Sequence, residues 1–100
     1  MTLFQNNPYI RERAAYFLGM SLSEVDANSV DIEELDAVRV WQPIRGGGSV
    51  IIGLDGEALF AASAVSSDQH QRDFASGLRT SPERFDLAPW NSRGMTWRQR

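Results

Sequence analysis

Apolar positions are densest between residues 46 and 65 (GGGSVIIGLDGEALFAASAV), and their pattern predicts a β-hairpin. Residues 50–54 form a short apolar run, Asp55 and Gly56 supply a two-residue turn, and 57–65 return as the second strand. A type I′ turn needs positive φ at both central residues, which Asp-Gly tolerates. That turn sets a register in which Leu54 faces Glu57, Ile52 faces Leu59 and Val50 faces Ala61. One face then carries Val50, Ile52, Leu54, Leu59 and Ala61, and the other Ile51, Ala58, Phe60 and Ala62. Both faces are apolar, so the hairpin is a core element.

The flanking patterns are helical. Asn7 and Pro8 form a helix opening, with Asn as cap and Pro in the first turn. Ile10, Ala14, Phe17 and Leu18 make one stripe, and Gly19 is the stop. Tyr9, Arg13, Tyr16 and Met20 form an adjacent band that reads as additional core rather than a binding strip. Residues 1–6 read as a frayed start. Ser21 and Glu24 have capping-box spacing, giving one helical turn over residues 22–27. Residues 35–42 (LDAVRVWQ) read as a first strand, with Val38 and Val40 on one side and Arg39 and Trp41 on the other. Pro43 ends it. After the hairpin, Ser66 or Ser67 caps a last helix whose narrow seam is His70, Phe74, Ala75 and Leu78, with Gly77 as its stop.

The expected fold class is therefore α+β: a three-stranded antiparallel meander with an N-terminal and a C-terminal helix packed on one face. Residues 1–80 form this domain, and 81–100 an irregular aromatic and basic arm. The arm holds Phe85, Leu87, Trp90 and Trp97 without periodicity, and it reads as a cover for the hairpin's second face around Ile51 and Phe60. A three-stranded sheet leaves two edges, so pairing with a second copy, as a homodimer, or with a partner's strand is expected chemistry.

Composition narrows the chemistry. The chain has 100 residues, no cysteine and one histidine. Disulfides, thiolate metal sites and cysteine nucleophiles are excluded, and a two-histidine metal site is too. No apolar run approaches a membrane span and no signal-peptide layout opens the chain, so a cytoplasmic location is expected. All ten basic residues are Arg.

The net charge of −3 conceals an asymmetry. Six acids and no base lie between Glu24 and Asp36, whereas five Arg face only Glu83 and Asp86 from Arg79 onward. The two segments either neutralise each other or one faces a partner of opposite charge. Asp31, Glu33, Glu34 and Asp36 suit hard cations by residue type, but they lack the glycine and spacing of a calcium loop. A solvated acidic face fits them better. Gly46, Gly47 and Gly48 beside Arg45 could expose an anion nest, yet no Lys-Ser/Thr follows and the next element is a strand. A flexible inter-strand loop explains the glycines without a ligand. His70 has no nucleophile or carboxylate partner that spacing identifies, and no cofactor motif is present.

The run from Trp41 to Phe60 (WQPIRGGGSVIIGLDGEALF), with Phe74 to Thr80 (FASGLRT), resembles small bacterial toxin-immunity proteins. The likeness covers roughly residues 35–80. It implies a compact α+β domain with a glycine-turned hairpin, no catalytic motif, and stoichiometric masking of a cognate toxin through an acidic surface. The expected function is a non-enzymatic protein-binding module, with Asp31, Glu33, Glu34, Asp36, Trp90 and Trp97 as contact residues. The alternative is a nucleic-acid-associated accessory protein using Arg93, Trp97, Arg98 and Arg100, since bases stack on Trp and phosphates pair with Arg. The chain's overall acidity weighs against nucleic acid.

Overall fold

The computed structural model describes residues 2–81 and Arg84, which are built around one antiparallel sheet. Its strands are β1 (Ser29–Ile32), β2 (Ala37–Trp41), β3 (Ser49–Gly53) and β4 (Ala58–Ala61), side by side in chain order. The helices are α1 (Thr2–Asn6), α2 (Pro8–Leu18), α3 (Leu22–Ala27) and α4 (Ser67–Ala75). The α+β class stands, but the sheet has four strands rather than three.

The additional strand lies inside the acidic segment. Val30 and Ile32 alternate with Ser29 and Asp31, and β-branched residues at period two favour a strand even when acids sit between them. A 3-10 turn over Glu33–Leu35 follows, and Asp36 in left-handed conformation (φ 49°) reverses the chain into β2. Asp is one of the few side chains that adopts this conformation readily.

The hairpin exists, but its register is one residue from the type I′ expectation. Val50 pairs with Phe60, Ile51 with Leu59 and Ile52 with Ala58. Gly53 accepts from Gly56 N–H and donates to the Glu57 carbonyl, both at 2.9 Å, so the loop is Leu54, Asp55 and Gly56. Gly56 has φ 87°, whereas Asp55 does not enter positive φ. This is a three-residue loop that closes on a left-handed glycine. A one-residue slip turns every β4 side chain to the other face. Phe60 and Ala58 therefore join Val50 and Ile52, and Leu59 joins Ile51.

The helices consequently occupy both faces instead of one. Val38, Val40, Val50, Ile52 and Ala58 pack under α1, α2 and α3, against Phe4, Ile10, Ala14, Phe17, Leu18 and Val25. On the opposite face, Ile51, Ala37 and Ile32 meet Phe74 of α4, with Leu35 and Leu59 at the margin. Ile51 and Phe60 therefore face opposite layers and do not form the single face that the arm was expected to cover, and α4 packs on the Ile51 side. Residues 82, 83 and 85–100, with Trp90, Arg93, Trp97, Arg98 and Arg100, lie outside the described residues.

Local signals mostly placed the helices well. All four stripe residues of α2 are buried, and Gly19 ends it in left-handed conformation. The Asn7 side chain does not cap α2; its amide donates to the Leu3 carbonyl and joins α1 to α2. Residues 2–6 are a helical turn rather than a frayed start, because Phe4 is buried in the core. Ser21 and Glu24 form the reciprocal capping box of α3, and Ser66 caps α4. Of the α4 seam, His70 and Phe74 are buried, but Ala75 and Leu78 are exposed.

Candidate functional site

Two regions combine polar chemistry with access. The first is the outer edge of the sheet at β1. Hydrogen-bond direction alternates along antiparallel strands. On β4, the main-chain carbonyl of Ala58 and N–H of Phe60 face the outer edge, and Thr80 closes it: its N–H donates to the Ala58 carbonyl at 2.8 Å, and its hydroxyl accepts from Phe60 N–H at 2.9 Å. β1 is the edge on the other side, with no further strand beyond it among the described residues. Val30 on β1 is 47% exposed, a large apolar side chain on the outermost strand.

The acids sort into two groups here. Glu24 is committed to the α3 capping box. Asp26 takes two 2.7 Å hydrogen bonds from the Arg11 guanidinium, which holds its carboxyl below the usual range. Glu33, Glu34 and Asp36 are exposed at the β1–β2 turn, with no side-chain hydrogen bond or ion pair among the described residues. Asp31 is partly buried, on the sheet face shared with Val38. The structure thus gathers Glu33, Glu34 and Asp36 into one corner at the end of β1 and sets Asp31 back inside it. Among the described residues no group of three or more His, Asp or Glu is placed to hold a metal ion.

The second region is a polar network beneath α4, which sequence reasoning did not assemble. His70 is 1% exposed and Ser49 is 5% exposed. The His70 Nε2 atom lies 2.8 Å from the Leu59 carbonyl oxygen. A carbonyl only accepts, so Nε2 carries the proton and Nδ1 presents a lone pair. Ser49 Oγ, 3.4 Å away, donates to that lone pair and accepts from an Arg39 terminal nitrogen at 3.3 Å. Burial pushes the His70 pKa below its ordinary value, with the Arg39 charge adding to the effect and the Leu59 and Asp73 contacts opposing it. The imidazole is therefore neutral near neutrality.

This arrangement ties α4 to β3 and β4 through one side chain. The Ser49–His70 contact is long, the hydroxyl is buried, and the imidazole is oriented by a backbone carbonyl in place of a carboxylate. One signal in the sequence foreshadows it. Arg39 and Trp41 alternate with Val38 and Val40 while the neighbouring strand is apolar on both faces, so Arg39 had to lie on a partly covered face.

The glycine loop is structural. Gly47 N–H donates to the Ile44 carbonyl and Gly48 N–H to Gln42 Oε1, so two of the three N–H groups of the supposed nest bond within the protein. Gln42 also donates to the Leu18 carbonyl at 2.9 Å, joining the end of α2 to the loop. A Cβ on Gly48 would lie 2.4 Å from the Phe60 ring, which explains the glycine by packing. Arg45 is exposed beside it. In the Tyr9 band, Tyr9 is exposed, Tyr16 stacks on Phe17 and Met20 packs on the core.

No protein-family model, curated protein or solved structure matches the chain. Among the described residues no helix is long and apolar enough to cross a membrane.

Proposed function

We propose that this chain is a non-enzymatic protein-binding module whose contact surface is the β1 edge with its acidic corner. The observation carrying the reading is the asymmetry of the sheet edges: Thr80 closes β4, whereas β1 is an edge strand carrying exposed Val30 beside Glu33, Glu34 and Asp36. An extended partner segment laid along β1 would gain main-chain hydrogen bonds. Val30 offers it an apolar anchor, and the acidic corner favours a basic flank and accelerates encounter. The finer reading, stoichiometric masking of a toxin in the bacterial cytoplasm, agrees with the likeness of residues 35–80 to immunity-type proteins and with this acidic surface.

The test is nuclease-treated affinity capture from the native host with the full chain, Val30→Lys, and Glu33→Lys/Glu34→Lys. One dominant protein retained by the parent chain and lost with either variant supports the reading. Retention indifferent to both variants removes the contact from this edge. Recovery of nucleic acid and its passengers alone, all lost on nuclease treatment, favours the accessory role instead. Sedimentation of the free chain separates a foreign partner from a second copy, since a β1-to-β1 homodimer would be dimeric alone and monomeric as Val30→Lys.

A further inference from the structure

The contacts described so far do not account for Arg39. Arg11, Arg13 and Arg79 each have a carboxylate or backbone carbonyl acceptor within 3 Å. Arg11 holds the Asp26 carboxylate, Arg13 donates to the Gly56 carbonyl, and Arg79 donates to the carbonyls of Phe74 and Leu78. Among the described residues, Arg39 has the Ser49 hydroxyl at 3.3 Å and the ring of Trp41, 5.7 Å from its centroid, and no other partner. Its Nε is buried without an acceptor, and no carboxylate pairs with it among the described residues. Burial alone lowers its pKa; no neighbouring acid acts to raise it. A cation taken partly out of water without a counter-ion is costly, and such a group asks for an explanation.

The surroundings supply one. Arg39, Trp41 and Ser49 line an open groove of about 340 Å³, bounded by Gly48, Ala62 and Val65. We infer that this groove is a binding site for a carboxylate carried on a small planar apolar body. The carboxylate would pair with the Arg39 guanidinium and the body would lie on Trp41. A phosphate fits less well. It brings up to two charges to one cation, and the N–H groups of Gly47 and Gly48 already donate inward. Ser49, bonded to His70, fixes the guanidinium for this role. The groove is distinct from the acidic corner at the opposite end of β1, although Val30 is the cross-strand partner of Arg39 and so adjoins it; a small-molecule titration needs no protein partner and tests the groove apart from the binding-module reading.

The experiment is a nitrogen-15 NMR titration of the full chain with benzoate, with its neutral isostere benzamide, and with inorganic phosphate. Saturable benzoate shifts at the Trp41 indole, the Gly48 and Ser49 amides and the Arg39 Nε–H, with benzamide about tenfold weaker or absent, support the site. Phosphate should be weaker than benzoate. Arg39→Gln should abolish the benzoate response while the rest of its spectrum keeps the parent pattern. Equal response to benzoate and benzamide overturns the proposal, as does a benzoate response confined to other residues or the absence of saturation. The comparison of the two aryl ligands on the parent chain decides the matter even if Arg39→Gln does not fold.

Discussion

Ile51 and Ile52 are sequence neighbours, both 0% exposed, on opposite faces of the same strand. If α4 truly seals the second face, replacing either by Ala must empty a packed interior. The substitution removes three carbons, about 2.4 kcal/mol at roughly 0.8 kcal/mol per buried methylene. The residual cavity adds to this, so the expected loss is about 2–5 kcal/mol for each. For Ile51 the cavity would open between Ala37, Ile32 and Phe74. For Ile52 it would open within the larger layer under α2. At about 4–8 °C per kcal/mol for a domain of this size, each variant should melt at least 8 °C below the parent. Urea unfolding followed by far-ultraviolet circular dichroism measures the same loss as a shifted midpoint at unchanged slope. Should Ile51→Ala cost under about 1 kcal/mol while Ile52→Ala costs its full share, the second face would not be a packed layer. The two-sided sheet would then be wrong.

Two further outcomes follow from single side chains. His70 has its pKa depressed by burial below the ordinary 6.5, so the unfolded chain takes up the proton first as pH falls. Its contribution to stability is complete above 6.5, declines as pH drops through that value and levels off below the depressed one. Urea midpoints of the parent should fall across this window relative to those of His70→Gln, and parallel curves would contradict the buried neutral imidazole. Gly48→Ala should cost about 1–3 kcal/mol by forcing a methyl group into the Phe60 ring. Combined with Phe60→Leu the cost should shrink, and strictly additive losses in a double-mutant cycle would deny that contact.

What could be read from the sequence divides by range. The α2 stripe of Ile10, Ala14, Phe17 and Leu18, the Ser21–Glu24 box and the Ser66 cap are local, and each appears in the structure as read. The hairpin was legible, but Asp55-Gly56 suits both a two-residue and a three-residue loop. The choice rests on whether Asp55 enters positive φ, which its identity does not decide. That single ambiguity exchanged the faces of Phe60 and Leu59. β1 was obscured because Ser29 and Asp31 interrupt its two β-branched residues, and its pairing with β2 is tertiary. α1 has neither cap signal nor period; the burial of Phe4, the packing of Leu3 and the Asn7 bond to the Leu3 carbonyl hold it in place. In the candidate site, Glu33, Glu34 and Asp36 are exposed, as a solvated acidic face requires, but Asp31 of the same cluster is partly buried, and the Arg39–Ser49–His70 network joins residues from three elements. Neither its distances nor its tautomer exists below the level of the fold.

The central claim, that the β1 edge and its acidic corner meet a protein partner, is tested most directly by site-specific photo-crosslinking in the native host. A benzophenone side chain placed at Glu33 should yield one dominant adduct, and the same group at exposed Ala75 on the α4 side should yield none. The Glu33 adduct should disappear when Val30→Lys is added. Equal adducts from Ala75, or an adduct indifferent to Val30→Lys, would contradict the assignment of this edge as the binding surface.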